Sequence, residues 1–396
     1  MSYSRKNRAL FIDTEALSSL ALVQEGLLAP VTSLMNKSEA QEVDETRKYK
    51  DIPMPYSFIL APKGKRNQEV LQNAKKGEKL ILVTQGKEVG HIIVDETFKI
   101  DPLKRIFQIY GTTDTSFPAV SRALKRLGEW AVSGSYEVVY PSIKENINRV
   151  QNAIKESGAK KIAGMMLGAN PFNRAHERVI RQALDSSDLL VIFLMKPFTK
   201  EGIDFKIRHE SLSIFIENFL PQNRIVVVPF ENSYIFSGYN ELILDALLAK
   251  NYGCTKLIVG RNHRALGAIY SENEMNTIFD NFKDIDIKIS LVNEFVYCDI
   301  CRTLVNQTTC PHGQHHHIHY HHKPLMKLIQ NGIIPPTILV RKEISSHILA
   351  SLFPNRFSNL QETYDMLIPS GGLLEEKSEK DFYIKLIELY QTSGLT

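Results

Sequence analysis

From residue 162 to residue 180 the chain reads IAGMMLGANPFNRAHERVI, and this stretch decides the fold. Its apolar run, Ile162 to Leu167, has the length of a buried strand. Gly168 then lets the backbone turn, and a helical pattern opens near Pro171 or Asn173 and runs over Arg174 to Leu184. Moving outward, the alternation continues with strand Leu189–Leu194, helix Glu210–Phe219, strand Ile225–Val228, helix Glu241–Lys250, strand Lys256–Val259 and strand Ile287–Val292. Strands and helices at this interval imply a parallel sheet with helices on both faces. Ligands of such sheets bind beyond the carboxyl ends of the strands, so chemistry is expected on the loops Gly168–Asn173 and Gly260–Gly267.

Upstream the pattern changes. Short apolar runs at Phe58–Ala61, Leu80–Val83, His91–Val94 and Ile106–Tyr110, parted by turn residues, read as strands of a small, mostly β domain. Between Pro141 and Gly158 a helix places Ile143, Ile147, Val150 and Ile154 on one stripe, and the boundary is drawn there. Downstream lies a cysteine and histidine tract from Cys298 to His322, then helices over Pro324–Gln330, Lys342–Leu352 and Lys380–Tyr390. The expected organisation is a β domain over 1–155, an α/β domain over 156–322 that ends in the Cys/His tract, and a helical subdomain with tail over 323–396.

Composition narrows the function classes. Lys and Arg number 48 against 44 Asp and Glu, a formal charge of +4. That balance excludes a polyelectrolyte, and no contiguous basic stripe suggests a nucleic-acid partner. The longest apolar run, Leu189 to Met195, is far short of a membrane span. Arg5, Lys6 and Arg8 precede an apolar stretch broken by Asp13 and Glu15, which argues against a signal peptide and for the cytoplasm. Three of the four cysteines cluster, as metal ligands do, while Cys254 reads as a small buried residue.

Three constellations carry chemistry. In the first, Asn173 and His176 lie three apart on the opening turn of a helix whose N–H groups and positive dipole end suit an anion; the same residues also describe an ordinary capped helix. The second, CTKLIVGRNHRALG from Cys254 to Gly267, repeats the design with Gly260, Arg261, Asn262, His263 and Arg264 after a buried strand. Taken alone it reads more readily as a solvated basic loop. In the third, Cys298 and Cys301 form a knuckle and Cys310 supplies a third thiolate for tetrahedral zinc. His312 follows Cys310 so closely that chelation by both looks cramped, so His315 is preferred as fourth ligand and His312 held open. Seven of the twelve histidines fall between 312 and 322; of the readings for those not bound to zinc, a second metal site, phosphate contacts or a solvated loop, the last is preferred.

With these residues assembled, the chain resembles the sulfate adenylyltransferase (ATP sulfurylase) family. GLLAPVTSLM resembles its GxxxPLxGFM segment, YGTTDTSFPAV its (F/Y)GTxDxxHPGV, KNYGCTKLIVGRNH its KNYGCTHFIVGRDH, and TCPH followed by NGIIPPTILVRKEI its TCPH and GxxPPxxxxRPEV. The resemblance implies a PUA-like β domain, a nucleotide-binding α/β domain and a small C-terminal subdomain. It implies ATP with Mg²⁺ as substrate and sulfate or a related oxyanion as acceptor, with adenosine 5′-phosphosulfate and pyrophosphate as products. Carried over by position, Asn170, His176, Arg261 and His263 become the catalytic candidates. Gly168, Pro171, Asn173, Gly260 and Asn262 complete the nucleotide site, and zinc is structural. A homo-oligomer is left open. Several positions depart from the pattern: Leu167, Ala169 and Asn173 stand where Gln, Arg and His are expected, Arg264 where a small residue is, Asn240 where an Arg is, and His321 to Met326 replace an SGTxxR segment. Arg174, Arg264, Lys323 and the histidine tract offer positive charge in the same loops. The alternatives are a homologue that binds nucleotide without sulfate chemistry and an enzyme for a different acceptor.

Overall fold

The computed structural model describes residues 8–198, 202–236, 241–261, 282–368 and 375–391. Two units emerge: one comprises Met1–Met166, Ser187–Phe198 and Val226–Val292, the other Leu167–Ser186, Thr199–Ile225 and Asn293–Thr396.

The first unit begins with strand β1 (Arg8–Phe11), helices α1 (Thr14–Gln24) and α2 (Lys37–Thr46), and the short pair β2 (Lys48–Tyr49) and β3 (Ile52–Pro53). Then follow β4 (Leu60–Pro62), α3 (Lys65–Gln72), β5 (Lys79–Thr84), β6 (Lys87–Lys99), α4 (Pro102–Tyr110), α5 (Pro118–Arg126) and β7 (Leu127–Val138). A five-stranded sheet of order β1-β5-β6-β7-β4 results, antiparallel except for β1 beside β5. At Gly134, φ +150°, a Cβ would sit 2.0 Å from the Ile93 carbonyl oxygen, so only glycine admits the bulge of β6 opposite it. One expectation is corrected here. Ile106–Tyr110 is not a strand but the end of α4, because Asp101 caps the helix at Leu103 and Lys104 N–H, Pro102 takes the first turn, and Gly111 closes it at φ 71°. The region therefore holds more helix than its short apolar runs suggest.

Helix α6 (Pro141–Ser157) leads into β8 (Ile162–Leu167), α7 (Arg174–Asp185), β9 (Leu189–Pro197), α8 (Phe205–Phe219), β10 (Ile225–Asn232), α9 (Glu241–Asn251), β11 (Lys256–Gly260) and β12 (Lys288–Val292). Their strands form a sheet of order β10-β9-β8-β11-β12. Leu189 to Leu194 of β9 are wholly buried, as a strand covered on both faces must be. Strand β11 runs parallel to β8, with Ile258 beside Met165, and parallel to β12. Gly164 keeps helix α9 close, since a Cβ there would meet Cys254 Sγ at 3.0 Å and Ala249 Cβ at 3.3 Å. The order places a switch point between β8 and β11: from β8 the chain builds outward through β9 and β10, then crosses back to start β11. The two loops singled out from sequence leave from the carboxyl ends of those two neighbouring strands.

The second unit holds α7, α8, a three-stranded antiparallel sheet of β13 (Phe295–Cys298), β14 (Thr303–Asn306) and β15 (His317–His319), and helices His322–Gln330, Lys342–Leu352, Leu360–Leu367 and Glu379–Gln391. Helix Lys342–Leu352 packs on α8 and on Glu379–Gln391. No described helix is long and apolar enough to cross a membrane.

Candidate functional site

Residues 168–173 are a held loop rather than a free one. Ala169 adopts φ +49°, a left-handed conformation uncommon outside glycine. Arg208 of α8 donates from Nη1 to the Gly168 carbonyl at 2.6 Å and from Nε to the Ile203 carbonyl at 3.0 Å. Asn170 Oδ1 accepts the Ile203 N–H at 2.9 Å, and Gly202 has no side chain because a Cβ would lie 2.1 Å from Asn170 Nδ2. Leu167 and Ala169 are 3% and 1% exposed, so both have become core residues.

Asn173 caps α7. Its Oδ1 accepts the His176 N–H at 3.2 Å, and its own N–H is accepted by His176 Nδ1 at 3.2 Å, a reciprocal box with histidine in the acceptor role. Burial pushes His176 down to about 4, and its ring stacks on Phe172 with centroids 5.7 Å apart. A neutral imidazole that accepts at Nδ1 carries its proton on Nε2 and retains one donor. The Arg174 N–H is taken by the Leu339 carbonyl at 2.9 Å, so two of the first-turn N–H groups expected to face an anion have protein partners.

Beneath this turn lies a charged trio that the sequence did not announce. Glu177 is 5% exposed and binds Arg341 Nε at 2.8 Å and Arg174 Nη1 at 3.3 Å. Burial raises its carboxyl above the usual range, while the two guanidinium groups pull the other way. Arg341 lies 4.0 Å over the Phe219 ring, and Arg174 Nε reaches the Thr337 carbonyl at 3.1 Å. One net positive charge remains. Arg208 was missed as well; its only signal was a basic residue one turn past Asp204, the cap of α8.

On the other strand end, Gly260 closes β11 and the Arg261 N–H extends the pairing to the Val292 carbonyl at 3.0 Å, leaving the Arg261 side chain exposed. Asn240, Asn262, His263, Arg264 and Ala265 lie outside the described residues.

Cys298, Cys301, Cys310 and His312 come together with all ligand atoms within 4.8 Å of one another. His312 Nδ1 stands 3.4, 3.2 and 3.5 Å from the three sulfurs, and Cys301 Sγ is 3.8 Å from Cys310 Sγ. Zinc bonds of about 2.3 Å to sulfur at tetrahedral angles require sulfurs about 3.8 Å apart, so this donor set fits the ion. The preference for His315 is corrected. Ligation through Nδ1, the nearer ring nitrogen, lets His312 close on the metal two residues after Cys310, whereas the His315 ring packs on His316 with centroids 4.1 Å apart. Four protein donors would leave a bound ion no open position, as in structural sites. Without metal, desolvation and the neighbouring Cys298 and Cys310 thiols push Cys301 up to about 11. Burial does likewise to the isolated Cys254 thiol, up to about 12.

Comparison with known proteins bears on the family and the fold. Residues 2–141 match the PUA-like domain family. The sulfate adenylyltransferase of Chloroflexus aurantiacus is 28% identical over 354 residues, covering 87% of this chain and 91% of that protein. Those of Synechococcus sp. (strain JA-3-3Ab), covering 85% and 87%, and of Halothermothrix orenii, covering 87% and 91%, are each 27% identical. Among solved structures, the hexameric APS kinase from Thiobacillus denitrificans superposes with a TM-score of 0.65 at 16% identity, covering 88% of this chain and 64% of that one, a likeness of fold. The ATP-sulfurylase family model matches residues 142–351, more than half of the chain, and the chain belongs to that family.

Proposed function

We propose that the chain is a sulfate adenylyltransferase working on ATP with Mg²⁺. A sulfate oxygen attacks the α-phosphorus in line, the bond to the β-phosphate bridging oxygen breaks, and adenosine 5′-phosphosulfate and pyrophosphate form. The observation that carries the reading is the switch point between β8 and β11, from which both candidate loops depart. In this reading His176 gives phosphate a neutral Nε2–H donor, Asn170 keeps its amide nitrogen for the same purpose, and Arg261 supplies charge, with roles also assigned to Asn262 and His263, the next residues in sequence. Gly168, Pro171, Asn173 and Gly260 shape the backbone around the nucleotide. Zinc on Cys298, Cys301, Cys310 and His312 would hold the 295–319 sheet together and takes no part in the reaction. A three-part division near residues 155 and 322, a cytoplasmic location and a homo-oligomer belong to the same proposal.

A second reading is favoured by Leu167 and Ala169, whose burial as apolar residues leaves two polar interactions of the family pattern unmade. In it the fold binds nucleotide and sulfate chemistry is gone. Incubation with ATP, Mg²⁺ and molybdate, which yields an unstable product in this family, separates the two. Pyrophosphate release well above that of a His176→Ala variant supports the first, and turnover no greater than that variant supports the second.

A further inference from the structure

The histidine tract beyond the Cys/His cluster is left unused by the reaction above, and its side chains are ordered by the strand that carries them. In β15, His317 pairs with Cys298 and His319 with Val296, so His317 and His319 point to one face. His317 Nε2 lies 3.4 Å from Cys310 Sγ, beside the cysteine cluster. Two residues along an extended strand is roughly 6–7 Å, too far for His319 to reach the same ion through bonds of about 2 Å. His319 instead has its own surroundings. Its Nδ1 faces Glu294 Oε1 at 3.4 Å, and its ring stacks on His321 with centroids 5.1 Å apart and planes 6° from parallel.

A carboxylate at Nδ1 selects the tautomer with its proton there, so the Nε2 lone pair is available; this is the partner that orients metal-bound histidines. The adjacent imidazole of His321 is exposed, and a rotation out of its parallel stacking would bring a nitrogen toward the same point. Phosphate fits less well, since Glu294 repels an anion.

We propose that His319 and His321, oriented by Glu294, form a second and exchangeable site for a borderline divalent metal such as Zn²⁺ or Co²⁺, with water completing its coordination. The cysteine site is closed and sulfur-rich, whereas this one is open and nitrogen-bound, which gives the two distinct spectra and exchange rates.

The test is titration of the zinc-loaded full chain with Co²⁺ under equilibrium dialysis. One further equivalent is expected, with weak d–d absorption, no thiolate charge-transfer band, and rapid removal by a mild chelator. His319→Gln with His321→Gln abolishes that equivalent, Glu294→Gln weakens it about 10-fold or more, and His315→Gln with His316→Gln keeps it. The cysteine-site zinc retained in each variant reports folding. His321→Gln alone, a change at an exposed side chain, gives a second reading should the double variant misfold, and is expected to lose the equivalent too. No second equivalent in the unaltered chain, undiminished uptake by the His319/His321 variants, or loss instead in the His315/His316 variant overturns the proposal.

Discussion

His176 is the residue at which chemistry and stability meet. An unfolded histidine titrates near 6.5, while in the fold burial pushes His176 down to about 4. Between those values the unfolded chain binds more protons, so stability is full above about pH 6.5 and is lost as pH falls toward 4. This residue contributes a slope of up to about 1.4 kcal/mol per pH unit. Urea unfolding from pH 4 to 7 is expected to show that slope, flattened in His176→Gln; an unaltered profile in the variant contradicts a buried neutral imidazole. Arg208→Ala removes two charge-assisted hydrogen bonds to the Gly168 and Ile203 carbonyls and is expected to cost about 2–4 kcal/mol by the same assay. A loss below about 0.5 kcal/mol, the limit for an ordinary surface substitution, shows that the loop holds itself. Asn173 and His176 were legible as a helix start because capping is local chemistry. Arg208 and the Glu177–Arg341 pair were not, because a basic residue on a helix looks the same whether it meets water or a carbonyl 40 residues away.

At the scale of elements, the β8–loop–α7 unit rests on its cap and on one glycine. Asn173→Ala is expected to cost about 1 kcal/mol, read as a lower urea midpoint. Gly202→Ala places a Cβ against Asn170 at a backbone φ of +80°, so Asn170 must leave the Ile203 N–H. Stability should fall by about 1–3 kcal/mol and kcat/KM for ATP with it, whereas unchanged kinetics would remove Asn170 from the site. Strands β8, β9 and β11 and helices α7 and α9 were readable because buried parallel strands and amphipathic helices differ in length and period. Helix α4 was not: Ile106 and Ile109 sit in a short apolar run that fits either period, and the deciding signals, Asp101, Pro102 and Gly111, lie at its ends. His312 was held open behind His315 for a similar reason, since spacing alone does not say which ring nitrogen would bind.

For the whole molecule, the strand order β10-β9-β8-β11-β12 is what gathers distant segments at one edge, and no local pattern contains that order. The resemblance implied the α/β domain but not its strand order. The cysteine cluster is predicted to hold about one zinc per chain; a strong chelator should lower Tm and release that zinc, and metal content well below one per chain sinks the assignment. The departures at Leu167, Ala169 and Asn173 set the energetic demand on the site. Removing three charge-assisted hydrogen bonds without replacement costs on the order of 5–9 kcal/mol, roughly 10³–10⁶ in rate. Within the second unit, the Arg174–Glu177–Arg341 trio keeps one net positive charge beside the first turn of α7. The most direct measurement is mass-spectrometric detection of adenosine 5′-phosphosulfate from ATP, Mg²⁺ and sulfate, with pyrophosphatase present to draw the reaction forward. The account predicts product that requires sulfate and is lost in His176→Ala. Nucleotide binding by calorimetry with no sulfate-dependent product, at any enzyme concentration, contradicts it.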